Sequence, residues 1–223
     1  MYLSRVFLDT TRMETIRALS SPQIIHGAVE AAVETDDRGS EQGQRRLLWR
    51  IDYLTDKCSL LLLSEAPPNL SLLVHQFGFP GVHEGETKSY LPLLDRLREG
   101  QRWRFRLRAN PVRSSFKEKD EETGRGKVFA HVTPEQQKQW LIRKSATCGF
   151  SLEPDEFDVI HSEWKKFSKN QTGGRHQVTL RTVTFEGILT VVDPVLFRQT
   201  LIKGIGRAKA YGCGLMTIMP MGR

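Results

Sequence analysis

Along the first 97 positions, the spacing of the apolar residues changes several times between the period of a β-strand and that of a helix. Residues 1–8 divide into two alternating sets of side chains, which predicts a β-strand. After Ser21, a candidate cap, and Pro22, apolar residues recur at helical spacing and predict a helix. Two strands, a second helix and a further strand follow over residues 45–54, 58–65, 68–78 and 87–94, where Pro92 restricts the last strand to a sheet edge.

The second half of the chain repeats this order of elements. Its first strand, residues 102–110, places arginines on one face and apolar residues on the other. The segment 114–127 is highly charged and predicts a long loop. The remaining elements are a helix from the cap Thr133 to a terminating Gly149, strands over 157–167 and 175–192 joined by a basic turn, a helix capped by Asp193, and a strand over 212–220.

Each half therefore follows the order β-α-β-β-α-β. This order predicts an α+β protein with two tandem ferredoxin-like domains, each built on an antiparallel sheet. The predicted domains are residues 1–97 and 98–223.

Composition excludes several classes of protein. No apolar run reaches the length that spans a membrane, and the N-terminus lacks the features of a signal peptide, so we expect a cytoplasmic protein. The three cysteines are far apart and form no C-x-x-C pair, which argues against a disulfide framework. Metal-binding patterns such as H-E-x-x-H are absent from the sequence, so we expect no metal site.

Positive charge is concentrated in one region of the chain. The formal net charge is +7, and residues 163–209 hold nine lysines and arginines against three acidic residues. Such segregation is typical of proteins that bind nucleic acid, although a basic surface without a polyanionic partner is the alternative.

A glycine-rich segment, "IKGIGRAKAYGCGLMTIMPM", spans residues 202–221. It contains no G-x-x-x-x-G-K-[ST] motif, and Lys209 occupies the third glycine position of G-x-G-x-x-G. The helix precedes the glycines and the strand follows them, the reverse of a dinucleotide site. We therefore expect no nucleotide cofactor. A helix end followed by a turn is an equally good interpretation of the glycines.

Four motifs occur together in one order: "MYLSRV", "FRLRANP", "VTFEGILTV" and "GIGRAKAYGCGL". In this combination nearly the whole chain resembles the CasE (Cse-type) CRISPR endoribonucleases of type I-E systems. The resemblance implies metal-independent cleavage of precursor CRISPR RNA at the base of the repeat stem-loop. The 2′-hydroxyl would attack the adjacent phosphate and leave a 2′,3′-cyclic phosphate and a 5′-hydroxyl. It also implies retention on the CRISPR RNA (crRNA) product beside the backbone subunits of the Cascade complex.

The resemblance assigns catalysis to His26 in the first predicted helix. Histidine suits either proton role because its unperturbed pKa is about 6.5. The residues alone would favour an ordinary boundary histidine. Where better-known family members carry a tyrosine, this chain has Gln23, which can orient a group but cannot exchange protons at neutral pH. Tyr211 is one alternative source of the missing hydroxyl.

Candidate RNA contacts follow from charge and placement. We predict contacts from the basic hairpin, the glycine-rich segment and the arginine-bearing strand: Lys165, Lys166, Lys169, Arg175, His176, Arg181, Lys203, Gly204, Gly206, Arg207, Lys209, Arg102 and Arg104. For the arginine strand, a solvated face with ion pairs is equally compatible with the sequence. Two other functions stay open: a non-catalytic scaffold that binds the RNA hairpin, and, with less support, a regulator that binds duplex DNA.

Overall fold

The computed structural model describes residues 1–33, 47–119, 126–171 and 174–222. Its first sheet consists of β1 (Tyr2–Leu8), β2 (Leu48–Tyr53), β3 (Cys58–Ser64) and β4 (Glu86–Ser89). These strands are antiparallel in the order β2-β3-β1-β4. The helices of this half are α1 (Met13–Ser20), α2 (Pro22–Val33), α3 (Leu70–Phe77) and α4 (Leu91–Leu94).

The second half begins with β5 (Arg102–Ala109) and a two-stranded hairpin of β6 (Val112–Lys119) and β7 (Gly126–Ala130). Then follow α5 (Pro134–Ser145), β8 (Phe150–Ser151), β9 (Phe157–Gln171), β10 (Gly174–Val191), α6 (Pro194–Lys203), a 3-10 turn (Lys209–Tyr211) and β11 (Met216–Pro220). The sheet order is β11-β5-β10-β8, and the long strand β9 pairs with β10.

Both sheets have the ferredoxin-like arrangement, in which the first and third long strands lie in the centre. The α+β class and the two ferredoxin-like units with antiparallel sheets are thereby confirmed. The proposed division between residues 97 and 98 falls in the segment that connects α4 to β5. That boundary stays a prediction.

Several local expectations need correction. The predicted loop 114–127 is largely the β6–β7 hairpin, in which Arg113 pairs with Phe129, while residues 120–125 lie outside the described part. Its sequence shows no alternation of apolar and polar residues, because a two-stranded hairpin has no buried face that would require one. The strand expected over 87–94 ends at Ser89, and Leu91–Leu94 form a short helix that tolerates Pro92 in its first turn.

Helix boundaries also differ in part. Helix α1 was not predicted, because its sequence follows β1 without a clear cap. Thr133 and Asp193 cap their helices as expected, since the side chain of each accepts hydrogen bonds from backbone N–H groups of the first turn. Helix α5, however, ends at Ser145, and Gly149 lies beyond it with φ 78° at the entry to β8.

One hydrophobic core extends across the two units. Leu48 and Leu63 of the first sheet pack in the same cluster as Trp103, Phe105 and Leu107 of β5. A second cluster lies within the first unit, between its sheet and its helices.

Arg50 adds a polar connection between the units. Its side chain is 1% exposed and forms a two-point ion pair with Asp52, at 2.7 and 2.8 Å. The same guanidinium donates to the carbonyl oxygens of Arg106 at 2.7 Å and Leu215 at 3.0 Å, and to the hydroxyl of Thr217 at 2.8 Å. The edge of the first sheet is thus held against β5 and β11.

Candidate active site and nucleic-acid interface

His26 lies on α2 at the border between the buried and exposed faces of the helix. The stripe of Ile25, Val29 and Ala32 is buried against the first sheet, which fixes the rotation of α2 about its axis. His26 is consequently 20% exposed, and its Nε2 lies 3.3 Å from Oε1 of Glu30, one turn further along. The helix therefore holds an imidazole and a carboxylate side by side at the protein surface.

Two polar atoms on α2 are buried without a hydrogen-bond partner among the described residues: Nδ1 of His26 and Oε1 of Gln23. Buried polar atoms in folded proteins are nearly always hydrogen-bonded, so each such exception needs an explanation. Gln23 and His26 are three residues apart and hence neighbours on the helix surface. Together they provide hydrogen-bonding capacity that the folded chain leaves unused.

The glycine-rich segment packs directly against the first unit. A Cβ on Gly204 would lie 2.8 Å from the Leu48 side chain, and one on Gly212 would lie 2.6 Å from the Trp49 ring. Both glycines have positive φ, 72° and 76°. Glycine is required here because no other residue combines this backbone with so close an approach.

This packing places the 3-10 turn of the segment against α2. Gly204 also ends α6, since its N–H donates to the Thr200 carbonyl at 2.8 Å, so the helix-end interpretation of the sequence was correct as well. Gly206 instead approaches the Trp140 ring, at 3.3 Å. The glycines therefore shape the site through packing and bring the turn to the helix that carries His26.

The basic residues of the segment differ in their availability. Lys203 and Arg207 are exposed, and Arg207 donates to the Ser114 hydroxyl at 3.2 Å. Lys209 is half-buried and donates to the Lys203 carbonyl at 2.7 Å, and burial lowers the pKa of its ammonium group. Lys203 and Arg207 are thus the cations best placed to meet a polyanion, whereas Lys209 supports the turn.

The β9–β10 hairpin presents two different faces. On the inner face, Phe167 is buried and its ring lies 4.8 Å from that of Tyr211, which joins the hairpin to the 3-10 turn. Lys165 shares this face and pairs with Glu163 at 3.3 Å. Strand β9 also contacts α2. The inner face therefore closes one side of the site around His26.

The outer face of the hairpin is more open. Lys166 is exposed there, and the Arg181 guanidinium lies 5.4 Å from the centre of the half-exposed Trp164 ring. His176 is exposed and pairs in register with Lys169. The side chains of Lys169 and Arg175 lie outside the described part of the structure, so only their strand register is established.

The arginine strand β5 is largely neutralised by acidic neighbours. Arg102 pairs with Glu156, Arg106 with Glu186 and Asp52, and Arg108 with Glu163. Arg104 is exposed and forms no ion pair with the described residues. It lines a cavity of about 730 Å³ between the two sheets, together with Leu3, Leu61 and Arg106. Three of the four arginines on this strand therefore form ion pairs, and the contact of Arg102 and Arg104 with RNA stays a prediction.

No three His, Cys, Asp or Glu side chains among the described residues converge as a metal site would require. None of the helices that the structure describes is long and apolar enough to cross a membrane.

The fold and the site define a class of protein: paired ferredoxin-like units that carry a histidine beside a basic, glycine-rich loop. A family model described as "CRISPR associated protein" matches residues 1–220. The chain is 30% identical over 230 residues to the CRISPR-associated endoribonuclease Cse3 of Thermus thermophilus, covering 99% of this chain and 100% of that protein. The chain belongs to this family of CRISPR-associated proteins, of the Cse3 and CasE type, which confirms the resemblance seen in the sequence.

Two more comparisons extend this result. The Cascade subunit CasE of Escherichia coli is 31% identical over 121 residues, which cover 52% of this chain and 57% of that protein. A solved structure of the endoribonuclease Cse3 bound to a 19-nucleotide RNA superimposes with a TM-score of 0.77, at 29% identity, over 99% of this chain and 100% of that chain.

Two features were not predicted from the sequence: the carboxylate beside His26 and the connection between the units. Glu30 was not singled out, although its spacing of four residues from His26 on a predicted helix is a sufficient indication. The connection made by Arg50 had no sequence signature, because its partners in the other unit are two backbone carbonyls and the hydroxyl of a distant threonine, Thr217.

Proposed function

We propose that the protein is a CRISPR repeat endoribonuclease, which cuts precursor CRISPR RNA at the base of the repeat stem-loop without a metal ion. The observation that carries the proposal is the placement of His26. A largely buried histidine, whose Nε2 lies beside the exposed carboxylate of Glu30, is on the helix that contacts both the basic turn and the β9–β10 hairpin. The chain is also related over its full length to a protein named as an endoribonuclease.

The reaction is an internal transesterification. The 2′-oxygen attacks the adjacent phosphorus, the bond from phosphorus to the 5′-oxygen breaks, and a 2′,3′-cyclic phosphate and a 5′-hydroxyl result. One proton leaves the 2′-hydroxyl and one proton reaches the departing 5′-oxygen, so no water or cofactor is consumed. A positioned acid or base is the main requirement of such chemistry.

His26 supplies one of the two proton transfers. Its Nδ1 is buried, so Nε2 is the nitrogen that meets the substrate once RNA displaces the exposed carboxylate of Glu30. Gln23, one turn earlier, orients the phosphate or a ribose hydroxyl by hydrogen bonding. The exposed cations of the loop, Lys203 and Arg207, offset charge on the phosphate backbone.

The hairpin holds the RNA stem. The cations that serve this role are Lys165, Lys166, Lys169, Arg175, His176 and Arg181. Because the major groove of A-form RNA is deep and narrow, these residues contact mainly phosphates and recognise shape. The product stem-loop stays bound, and the protein joins the backbone subunits of a Cascade complex in the cytoplasm. A relative named as a Cascade subunit supports this assembly.

A non-catalytic scaffold is the second candidate, because Gln23 stands where the better-known relatives carry a tyrosine. Incubation of the purified protein with repeat RNA and a chelator separates the two functions. Cleavage at a single site with a cyclic-phosphate end supports the enzyme. Bound but intact RNA supports the scaffold, and equal affinity for duplex DNA would contradict both.

A further inference from the structure

A second cavity, apart from the residues around His26, lies where the β6–β7 hairpin meets the start of α5. Its volume is about 620 Å³. Among the residues that line it are Arg113, Phe129, His131, Glu135, Gln139 and Arg143. None of these residues has a role in the proposed cleavage.

The cavity has an excess of positive charge. The side chains of Arg113 and Arg143 are exposed, and neither forms an ion pair with any residue that the structure describes. Glu135 is the acidic residue of the lining, and it pairs with neither arginine. Two unpaired guanidinium groups at one cavity provide the planar donors that suit a phosphate.

His131 provides a buried polar group in the same wall. It is 9% exposed, and its ring has no hydrogen-bond partner among the described residues. Its backbone is fixed, since its N–H donates to the Pro111 carbonyl at 3.0 Å and its own carbonyl accepts from Gln137 Nε2 at 3.0 Å. The ring nitrogens of His131 are not among the fully buried polar atoms of the described residues, so the imidazole is held in the cavity wall with hydrogen-bonding capacity that a ligand can reach.

The electrostatics connect these groups. Burial lowers the pKa of His131, and the positive charges of Arg143 and Arg113 lower it further. Both guanidinium groups therefore act on the imidazole, and the field at the cavity favours an anion.

The surroundings indicate which anion would bind. Arg113 lies 5.0 Å from the centre of the Phe129 ring, and such an arginine–aromatic pair offers a stacking surface for a nucleobase. Arg207 of the glycine-rich segment bonds to Ser114, the residue next to Arg113. Strand β6 thus carries a residue of the cavity and, on the next position, a contact to one of the cations that we propose meet the RNA.

We propose that this cavity binds a backbone phosphate of the single-stranded RNA that adjoins the stem-loop, with the neighbouring base against Arg113 and Phe129. This inference rests on the proposed function, since it assumes that the RNA stem is the substrate. It adds a second contact point that extends recognition beyond the stem.

Three RNAs test the inference: the stem-loop alone, the stem-loop with a 5′ single-stranded extension, and the stem-loop with a 3′ extension. The wild-type protein should bind one of the extended RNAs more tightly than the stem-loop. In the double variant Arg113→Gln/Arg143→Gln this gain should disappear. The slope of log K against log[salt] for that RNA should become shallower by about 0.7 for each lost phosphate contact.

The control is Lys144→Gln, which removes an exposed cation next to Arg143 on α5. It should keep the gain in affinity from the extension. The double variant should bind and cut the stem-loop at the wild-type level, and its unfolding temperature should be unchanged because both arginines are exposed.

A wild-type protein that gains nothing from either extension, or a double variant that keeps the gain, overturns the inference while cleavage of the stem-loop still supports the enzyme. AMP is the probe for free nucleotides. If AMP raises the unfolding temperature of the wild type and the RNA extensions add no affinity, the cavity binds free nucleotides and the RNA assignment is overturned. Failure to bind any of the three RNAs would remove the proposed function and this inference together.

Discussion

Gly212 lies against the indole ring of Trp49, so closely that a Cβ on the glycine would be 2.6 Å from the ring carbon Cζ3. Gly212 also has φ 76°, in the left-handed region. Gly212→Ala therefore combines backbone strain with overpacking, and we expect it to lower the free energy of unfolding by about 2–5 kcal/mol. Urea denaturation measures this change.

Gly100 provides a matched control for that substitution. Its φ is 77°, but a Cβ there would meet nothing within 4 Å. Gly100→Ala should consequently cost only the backbone strain, about 1–2 kcal/mol. Equal losses for the two variants would show that the contact with Trp49 is unimportant.

Arg50→Met should destabilise the protein by about 3–5 kcal/mol, because it leaves the Asp52 carboxylate buried without its main partner. The comparison is Arg5→Met, which breaks the exposed ion pair between Arg5 and Glu86, 3.0 Å apart. That change should cost at most about 1 kcal/mol. Chemical denaturation of both variants checks the difference, and similar losses would argue against a stabilising connection at Arg50.

His26→Ala should reduce single-turnover cleavage of repeat RNA by about 100- to 10,000-fold, since a positioned acid or base is lost. Affinity for the stem-loop should change little, because only 20% of the side chain is exposed. His75→Ala, at an exposed position on α3, is the control and should cut normally. Cleavage by His26→Ala at the wild-type rate would contradict the catalytic assignment.

Lys166→Ala and Arg181→Ala should weaken stem-loop binding and flatten its salt dependence. Each lost phosphate contact reduces the slope of log K against log[salt] by about 0.9 on a duplex. Lys88→Ala, on the edge strand β4, removes a cation from the other unit that is exposed like Lys166, and it should leave the slope unchanged. A slope that did not change in either hairpin variant would exclude the outer face of the hairpin from the RNA interface.

Stability should fall as the pH rises above about 9. Burial, together with the nearby Asp52 carboxylate, raises the pKa of the Cys58 thiol to about 11, and burial raises that of Cys213 to about 12. Above pH 9 the unfolded chain loses these protons while the folded chain keeps them, so each thiol lowers the free energy of unfolding by up to about 1.4 kcal/mol per pH unit. Denaturation between pH 8 and about 10.5 measures the slope.

The variants Cys58→Ala and Cys213→Ala isolate the contribution of the thiols. Each should be less stable at neutral pH, yet its stability should decline less steeply with rising pH. A decline as steep as in the wild type would assign the alkaline transition to other groups.

The sequence predicted the ferredoxin-like units because their long strands and capped helices follow local rules. Asp193 and Thr133 illustrate this, since each caps its helix through its own side chain. It did not predict the β6–β7 hairpin, whose pairing carries no apolar pattern. His26 could be selected only through a family resemblance, because one histidine beside an apolar stripe has many explanations. Contacts between distant segments, such as Gly212 with Trp49, depend on how the units meet, which no local pattern encodes.

The core that joins Leu48 and Leu63 to β5 has a consequence for how the chain folds. Although the two units repeat one topology, neither can bury its apolar surface completely without the other. Fragments cut between residues 97 and 98 would expose that surface in both halves and should associate rather than remain separate. We therefore expect the duplicated architecture to unfold as one cooperative unit, and the same packing fixes the distance between His26 and the β9–β10 hairpin.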